Sequence, residues 1–323
     1  MKGVVTGGAG FLGSHLVDAL MEAGWEVAVI DNLSSGSKKN LSKWLDHPRL
    51  SFYEGDLKEP NGPWTRAFSE ADVVFHMAAN PEVRISSTMP HTHFNENVVA
   101  TFNVLEAARR YDVKALIFAS SSAVYGEGGD RPVPEDAPKK PVSVYGASKL
   151  ACEIIIETYH RLYGLRAVLL RYANIIGPRL NHGVVVDFVA KLRKNPKKLV
   201  ILGDGSQRRS FLYVTDAISA TMHLLKALLD GQFSFEVFNV GNDDWMSVIE
   251  VARVVVEEMG LKGVAYEFLE GHPGGLGWPG DVKCIWLDIA KLKSLGWKPK
   301  MNSEEAVRAT VRSLLRGRVR LPC

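Results

Sequence analysis

Tyr145 and Lys149 stand four residues apart in the stretch YGASK, a spacing that puts a phenol and an ammonium on one face of a helix. Together they could do acid–base chemistry. A phenol titrating near 10 is a poor base at neutral pH, but an adjacent ammonium lowers that value. Just upstream, FASSSAVYG supplies Ser120, Ser121 and Ser122, whose hydroxyls could hold a substrate oxygen and pass a proton. A Tyr and a Lys on an ordinary solvated helix would show the same spacing, so the surrounding chain has to decide.

That context begins at the N-terminus, where the strand-like KGVVT runs into TGGAGFLGSHLVDAL. Gly8, Gly10 and Gly13 spell GxGxxG, and Gly7 adds a fourth glycine. Glycines permit the tight turn and let a pyrophosphate approach the backbone, where a helix N-terminus offers free N–H groups and the positive end of its dipole. A tight strand-to-helix turn would use glycines too. Here the next strand ends in Asp31, at the distance where a carboxylate takes adenosine ribose hydroxyls. A carboxylate there repels a 2′-phosphate, which favours NAD over NADP, although Lys38 and Lys39 lie nearby. An oxidised nicotinamide would further depress the Tyr145 pKa, as required for taking a proton from a hydroxyl while hydride leaves the same carbon.

The elements that must position these residues are legible as apolar runs. KGVVT, EVAVID, LSFYEGD, ADVVFHMAA, KALIFAS and RAVLLRY read as strands; FLGSHLVDALMEAG, HFNENVVATFNVLEAARRY and SKLACEIIIETYHRLYG read as helices. Continuous rather than alternating apolar strands are buried on both faces, so the order implies an α/β fold, a doubly wound parallel sheet of Rossmann type. Residues 1–175 form the expected NAD-binding domain. Beyond Gly177 the Gly/Pro-rich GPRLNHG and GHPGGLGWPGD mark a smaller, mixed substrate-binding lobe, 176–323, with some segments returning to the sheet. Asp56, in EGDL, and His76, in HMAA, fall at the carboxyl edge where ligands bind, and His76 reads better as a satisfied core histidine.

Composition narrows the class. The 323 residues are 46% hydrophobic and 23% charged, ample for a large core. A formal net charge of +3 does not argue for nucleic acid. Arg308, Arg312, Arg316, Arg318 and Arg320 read as a solvated cationic face near a helix C-terminus. Cys152, Cys284 and Cys323 show neither CxxC nor metal-ligand spacing, so no metal is expected and a reducing, cytoplasmic setting fits. The opening strand leaves no room for a signal peptide, and no apolar run approaches the ~20 residues of a membrane span.

TGGAGFLG, DNLSSG, GDL, HMAA, NENVVAT, SSSAVYG, YGASK, RYANIIGP, GDGSQRRSFLYVTD, NVG and a terminal GDV…LGWKPK occur in one order along nearly the whole chain. In that series the chain resembles the extended short-chain dehydrogenase/reductase family, and within it the branch of UDP-galactose (UDP-glucose) 4-epimerases. The resemblance implies that Ser121, Tyr145 and Lys149 are catalytic. Ser121 would bind the sugar 4-oxygen, Tyr145 would act as base and then acid, and Lys149 would bind the nicotinamide ribose and depress the Tyr145 pKa. It assigns NAD to Gly7, Gly10, Phe11, Leu12, Gly13, Asp31, Asn32, Ser35, Gly36, Asp56, Leu57, Ala78, Ala79, Asn97, Tyr145 and Lys149, with Asn97 ordering the site behind Lys149. Substrate contacts fall to Ser121, Ser122, Asn174 and Arg209, the last as the diphosphate-binding arginine.

The reaction implied is 4-epimerisation of a UDP-hexose: hydride passes from C4 to bound NAD, the 4-keto sugar rotates, and hydride returns. In the dehydratase branch an Asp and a Glu match Ser122 and Ala123, and neither acid is present. A reductase, dehydrogenase or decarboxylase on the same scaffold, or a non-catalytic NAD-binding protein, are the competing readings. Trp278 departs from the pattern, standing where relatives with RPGD carry a diphosphate-binding arginine. Either Arg209 and other donors suffice, with the indole stacking on a base or sugar, or the substrate depends less on that charge. Arg84 falls in a loop that contacts the sugar in relatives, and Ile285 occupies a position that helps admit or exclude N-acetyl sugars. A homodimer is also implied, through helices around Val98 to Arg110 and Ser148 to Tyr163.

Overall fold

The computed structural model describes residues 1–316, so Arg318, Arg320 and Cys323 lie outside the described residues. Two compact units divide the chain, and the division is more interleaved than a single boundary at 175. The first comprises Met1–Val124, Val144–Arg171 and Ile218–Phe238; the second comprises Tyr125–Ser143, Tyr172–Ala217 and the chain from Asn239 onward.

The first unit opens with β1 (Lys2–Thr6), α1 (Phe11–Glu22), β2 (Glu26–Asp31), β3 (Leu50–Glu54) and β4 (Val73–His76). A short α2 (Pro90–His93) runs through a π-helical turn (Phe94–Val99) into α3 (Ala100–Arg110), followed by β5 (Ala115–Ser121), α4 (Val144–Tyr163) and β6 (Arg166–Tyr172). The one long helix expected across 93–111 is therefore interrupted. Leaving i→i+4 bonding for a wider turn changes the direction in which Asn97 points, a device common at functional sites.

These strands form a seven-stranded sheet in the order β11-β6-β5-β4-β1-β2-β3, where β11 is the later strand Phe235–Val240. From β5 to β3 every pairing is parallel, with Thr6 beside both Ile30 and His76. Strand order reverses at β1, and in such sheets the crevice at the carboxyl ends beside the reversal takes the ligand. Val4, Ile30, Val74, Leu116 and Phe118 pack with Trp64, Phe68, Val104, Leu105 and Ile156 in one core under α3 and α4. Burying each such side chain contributes about 1.5–3 kcal/mol, which is why continuous apolar strands were a sound signal.

The second unit holds β7 (Asn174–Ile176), α5 (Val184–Lys194), β8 (Lys198–Leu202), β9 (Arg208–Arg209) and β10 (Phe211–Tyr213). After α6 (Val214–Leu229), which begins there and continues into the first unit, come β12 (Met246–Ser247), α7 (Val248–Glu258), β13 (Ala265–Leu269), β14 (Cys284–Ile285), α8 (Ala290–Ser294) and α9 (Ser303–Arg316). Three small sheets pair β10 with β7, β9 with both β12 and β14, and β13 with β8. Arg308 lies 2.8 Å from Glu257 and 3.0 Å from Glu258, and Arg312 2.7 Å from Glu258. These arginines tie α9 to α7 rather than offering a free cationic face. Among the described residues no helix is long and apolar enough to cross a membrane.

Candidate active site

The glycine loop is built backbone against backbone. Gly7 has φ 66°, and a Cβ there would lie 2.8 Å from the Ala78 backbone; one on Gly13 would lie 2.1 Å from the Gly7 carbonyl oxygen. Side chains at either position would break the contact between the loop, the HMAA turn and the start of α1. Gly10 heads α1 without a side-chain cap, and no acid occupies the first turn, so the first N–H groups, around Phe11 and Leu12, remain for an anion.

Asp31 is buried behind this loop. One carboxylate oxygen accepts the Ala9 N–H at 2.9 Å and the other the Leu33 N–H at 2.8 Å. Burial pushes its pKa up, and the Leu33 and Ala9 N–H groups pull it back. Each oxygen keeps a further acceptor site, which suits ribose hydroxyls. Leu33 itself has φ 58°, a left-handed backbone that the Asp31 bond helps to hold. Gly36 packs on Ala9 and Asp31, and Asn32 reaches Asp56 at 3.5 Å. Lys38 is paired with Glu54 at 2.9 Å. This cradle and carboxylate fit an adenine dinucleotide without a 2′-phosphate.

His76 is a structural link. Its ring bonds Thr6 at 2.7 Å and Thr101 at 2.9 Å, joining β1, β4 and α3, and burial foremost, then the charge of Lys149, holds its pKa down to about 3. Thr6 in turn accepts the Ala78 N–H at 3.3 Å, which fixes the turn carrying Ala78 and Ala79.

Ser121, Tyr145 and Lys149 do come together. The Tyr145 hydroxyl hydrogen-bonds Ser121, whose Oγ also accepts the Ala123 N–H at 3.2 Å. Lys149 Nζ donates to the Ala119 carbonyl at 2.7 Å and stands 4.8 Å from the Phe118 ring centroid. Burial brings the Lys149 pKa down to about 8, with Cys152 and Glu153 pulling it the other way. The expected depression of the Tyr145 pKa by Lys149 is not seen. Burial pushes the phenol up, more than the Ser121 hydrogen bond draws it down, while Lys149 Nζ is directed to the Ala119 carbonyl.

Asn97 meets the helix one residue before Lys149: its amide donates to Ser148 Oγ at 2.8 Å and accepts the Asn80 N–H at 2.8 Å, so it orders the helix through Ser148. Two groups went unnoticed in the sequence. Ser86 Oγ accepts the Tyr145 N–H at 3.2 Å, and the fully buried His93 ring packs edge-on against Tyr145, centroids 5.6 Å apart. Nothing in the sequence marks either one, since both contacts join segments far apart along the chain.

In the second unit, the Arg209 guanidinium donates to Asp281 at 2.7 Å and to the Val282 and Arg208 carbonyls at 2.6 and 2.7 Å. Much of the charge expected to meet a diphosphate is thus balanced by Asp281. Asn174 is exposed and donates to the Ser210 carbonyl at 3.3 Å. Trp278 turns the chain by accepting the Asp281 N–H at 3.1 Å, Ile285 is buried against Gly128, and Arg84 pairs with Glu82 at 3.4 Å. Among the described residues no cluster of three metal-ligating side chains occurs.

Comparison with known proteins agrees with this layout. The profile of the NAD dependent epimerase/dehydratase family matches residues 4–241. A crystal structure of a UDP-galactose 4-epimerase is 48% identical, covers 98% of this chain and 99% of its own, and superposes with a TM-score of 0.87. The UDP-glucuronic acid 4-epimerase of Bacillus cereus, in complex with UDP-glucuronic acid and NAD, is 30% identical with a TM-score of 0.88, covering 98% and 99%. UDP-glucuronic acid decarboxylase 6 of Arabidopsis thaliana is 34% identical over 95% of this chain and 87% of its own. The chain belongs to the NAD dependent epimerase/dehydratase family, the extended short-chain dehydrogenase/reductases. Its cofactor is NAD, and its relatives act on nucleotide sugars.

Proposed function

We propose that the protein is a UDP-hexose 4-epimerase that interconverts UDP-galactose and UDP-glucose. The observation that carries the reading is the hydrogen-bonded Ser121–Tyr145 pair at the end of β5, with Lys149 one turn along α4 and no acid at Ser122 or Ala123. Tyr145, drawn toward the phenolate once an oxidised nicotinamide adds its positive charge, would take the proton from the sugar 4-hydroxyl and later return it to the 4-oxygen. Ser121 holds that oxygen throughout and keeps it in line with the phenol. Lys149 would bind the nicotinamide ribose hydroxyls through its ammonium. When bound, NAD supplies the acceptor, and on return the donor, for the hydride at sugar C4. The loop Gly7–Gly13 and Asp31 would hold its pyrophosphate and ribose, with Asn32, Ser35, Gly36, Asp56, Leu57, Ala78 and Ala79 as further cofactor contacts, and Asn97 steadies α4. Asn174 and Arg209 serve the substrate's sugar and diphosphate, Arg209 as part of the Arg209–Asp281 pair. Since proton and hydride both return, no net NADH forms.

The reading extends to a cytoplasmic homodimer assembled on α3 and α4. Phe102, Ile154, Leu162 and Tyr163 on those helices are exposed, Leu162 at 67% and Ile154 at 57%. An apolar surface of that kind marks an interaction face. To test the activity, the purified protein is incubated with UDP-galactose without added NAD, separating products by chromatography and scanning for NADH. Equilibration with UDP-glucose and no accumulated NADH supports a self-contained epimerase. Net NADH, or release of carbon dioxide from UDP-glucuronic acid, would move the chain to a dehydrogenase or decarboxylase.

A further inference from the structure

Three consecutive residues of β5 each grip α4 at successive turns. The Ala119 carbonyl takes Lys149, Ser120 Oγ donates to the Glu153 carboxylate, and Ser121 meets Tyr145. Two of these contacts belong to the trio already described. The third does not touch substrate or cofactor, yet it is the most heavily built. Glu153 also accepts a forked pair of bonds from Arg171 on β6, with Nε at 2.9 Å and Nη2 at 2.7 Å. Ser120, Glu153 and Arg171 are 4%, 5% and 4% exposed.

A buried ion pair is poor evidence of stabilisation, because well-packed apolar side chains of similar volume do as well or better. What apolar residues cannot supply is direction. Charge-assisted, forked bonds fix both angle and distance, here between the helix carrying Tyr145 and Lys149 and the strand ending in Ser121.

We propose that Glu153 is a positioning residue for proton transfer: through Ser120 and Arg171 it holds α4 in register with β5, so that Tyr145 meets Ser121 and Lys149 meets the strand end. The proposal rests on the epimerase reading for its kinetic arm only. The Glu153 carboxylate is also a fixed negative charge one turn beyond Lys149. The other titratable or charged groups around that ammonium are Cys152 on the same helix, Tyr145 one turn back, His76 on β4 and Arg171 on β6.

The test uses the full-length protein and the variants E153Q, E153D and S120A. Turnover of UDP-galactose gives kcat and KM, and carbon-13 NMR of ε-labelled lysine, without sugar, gives the Lys149 midpoint, assigned with K149M. E153Q lowers kcat at least about tenfold with KM within twofold, the scale for a catalytic group displaced by a fraction of an ångström. Its Lys149 midpoint falls below the wild-type value, because a negative charge that favours the ammonium is gone. E153D restores that midpoint but not kcat, since its shorter arm keeps the charge and loses the reach to Ser120. S120A leaves the Glu153–Arg171 pair in place and still lowers kcat, by about three- to tenfold, with a melting temperature only a few degrees lower. Folded E153Q and S120A proteins with wild-type kcat and Lys149 midpoints would overturn the proposal. If E153Q does not fold, S120A decides alone. If the wild type leaves UDP-galactose untouched, the epimerase reading fails, and the Lys149 midpoints of E153Q and E153D still decide the role of Glu153.

Discussion

Lys149 sets a stability experiment whose size follows from its surroundings. The side chain is 3% exposed, and burial takes its pKa from 10.5 to about 8. Each pH unit of difference between folded and unfolded states is worth about 1.4 kcal/mol, so keeping this ammonium charged in the folded protein costs about 3 kcal/mol at pH 7. Lys149→Met removes that cost but leaves the Ala119 carbonyl without its donor, a loss of roughly 1 kcal/mol. The variant should gain about 2 kcal/mol. With an unfolding entropy of roughly 2.1 cal/mol/K per residue, that raises the melting temperature of this chain by ~3 °C. The sign with pH is fixed. Between pH 8 and 10.5 the unfolded chain binds a proton that the folded one has released, so wild-type stability rises across this window and the Met variant's does not. Thermal unfolding by circular dichroism at pH 7, 8, 9 and 10 measures the gap. Equal melting temperatures at pH 7, or a gap that fails to narrow toward pH 10, would refute the reasoning. The same variant should be inactive, because a residue that costs stability is retained for chemistry.

Tyr145→Phe should lower kcat about a thousandfold, while calorimetry finds UDP-sugar binding intact, since only the hydroxyl that meets Ser121 is lost. Gly13→Ala should release NAD from the purified protein, seen as loss of extractable nucleotide, because its Cβ would lie 2.1 Å from the Gly7 carbonyl. Ile154→Lys with Leu162→Lys should convert a dimer to a monomer in sedimentation velocity without loss of helicity; a wild type that sediments as a monomer at high concentration would remove the dimer altogether.

The parallel sheet was legible because its strands are continuous apolar runs, a signal that does not depend on what they pack against. The Gly7–Gly13 loop and Asp31 were legible for a related reason, as local geometry dictates residue type. Tyr145, Lys149 and Ser121 were found by helix spacing and strand ends. The same spacing carried one step further reaches Glu153, and Arg171 is a charge inside an otherwise apolar strand, so that pair could have been read from the sequence. Other features could not. Whether Lys149 or burial governs the Tyr145 phenol depends on how completely the folded chain encloses it, and the Arg209–Asp281 pair joins residues 72 apart in sequence. The π-helical turn left no trace, since its apolar pattern resembles that of a plain helix.

That turn limits how the gene can lengthen or shorten. A helix advances about 100° per residue, so deleting one residue within Phe94–Val99 could regularise the coil while swinging Asn97 by roughly that angle away from Ser148. Apolar character around the helix would hardly change, and a hydropathy comparison would see nothing amiss. Tolerated length changes should therefore collect upstream, in the exposed stretch Ser87–Met89. The register from Phe94 to Val99 behaves as an inherited count, one that selection can preserve even where individual side chains drift.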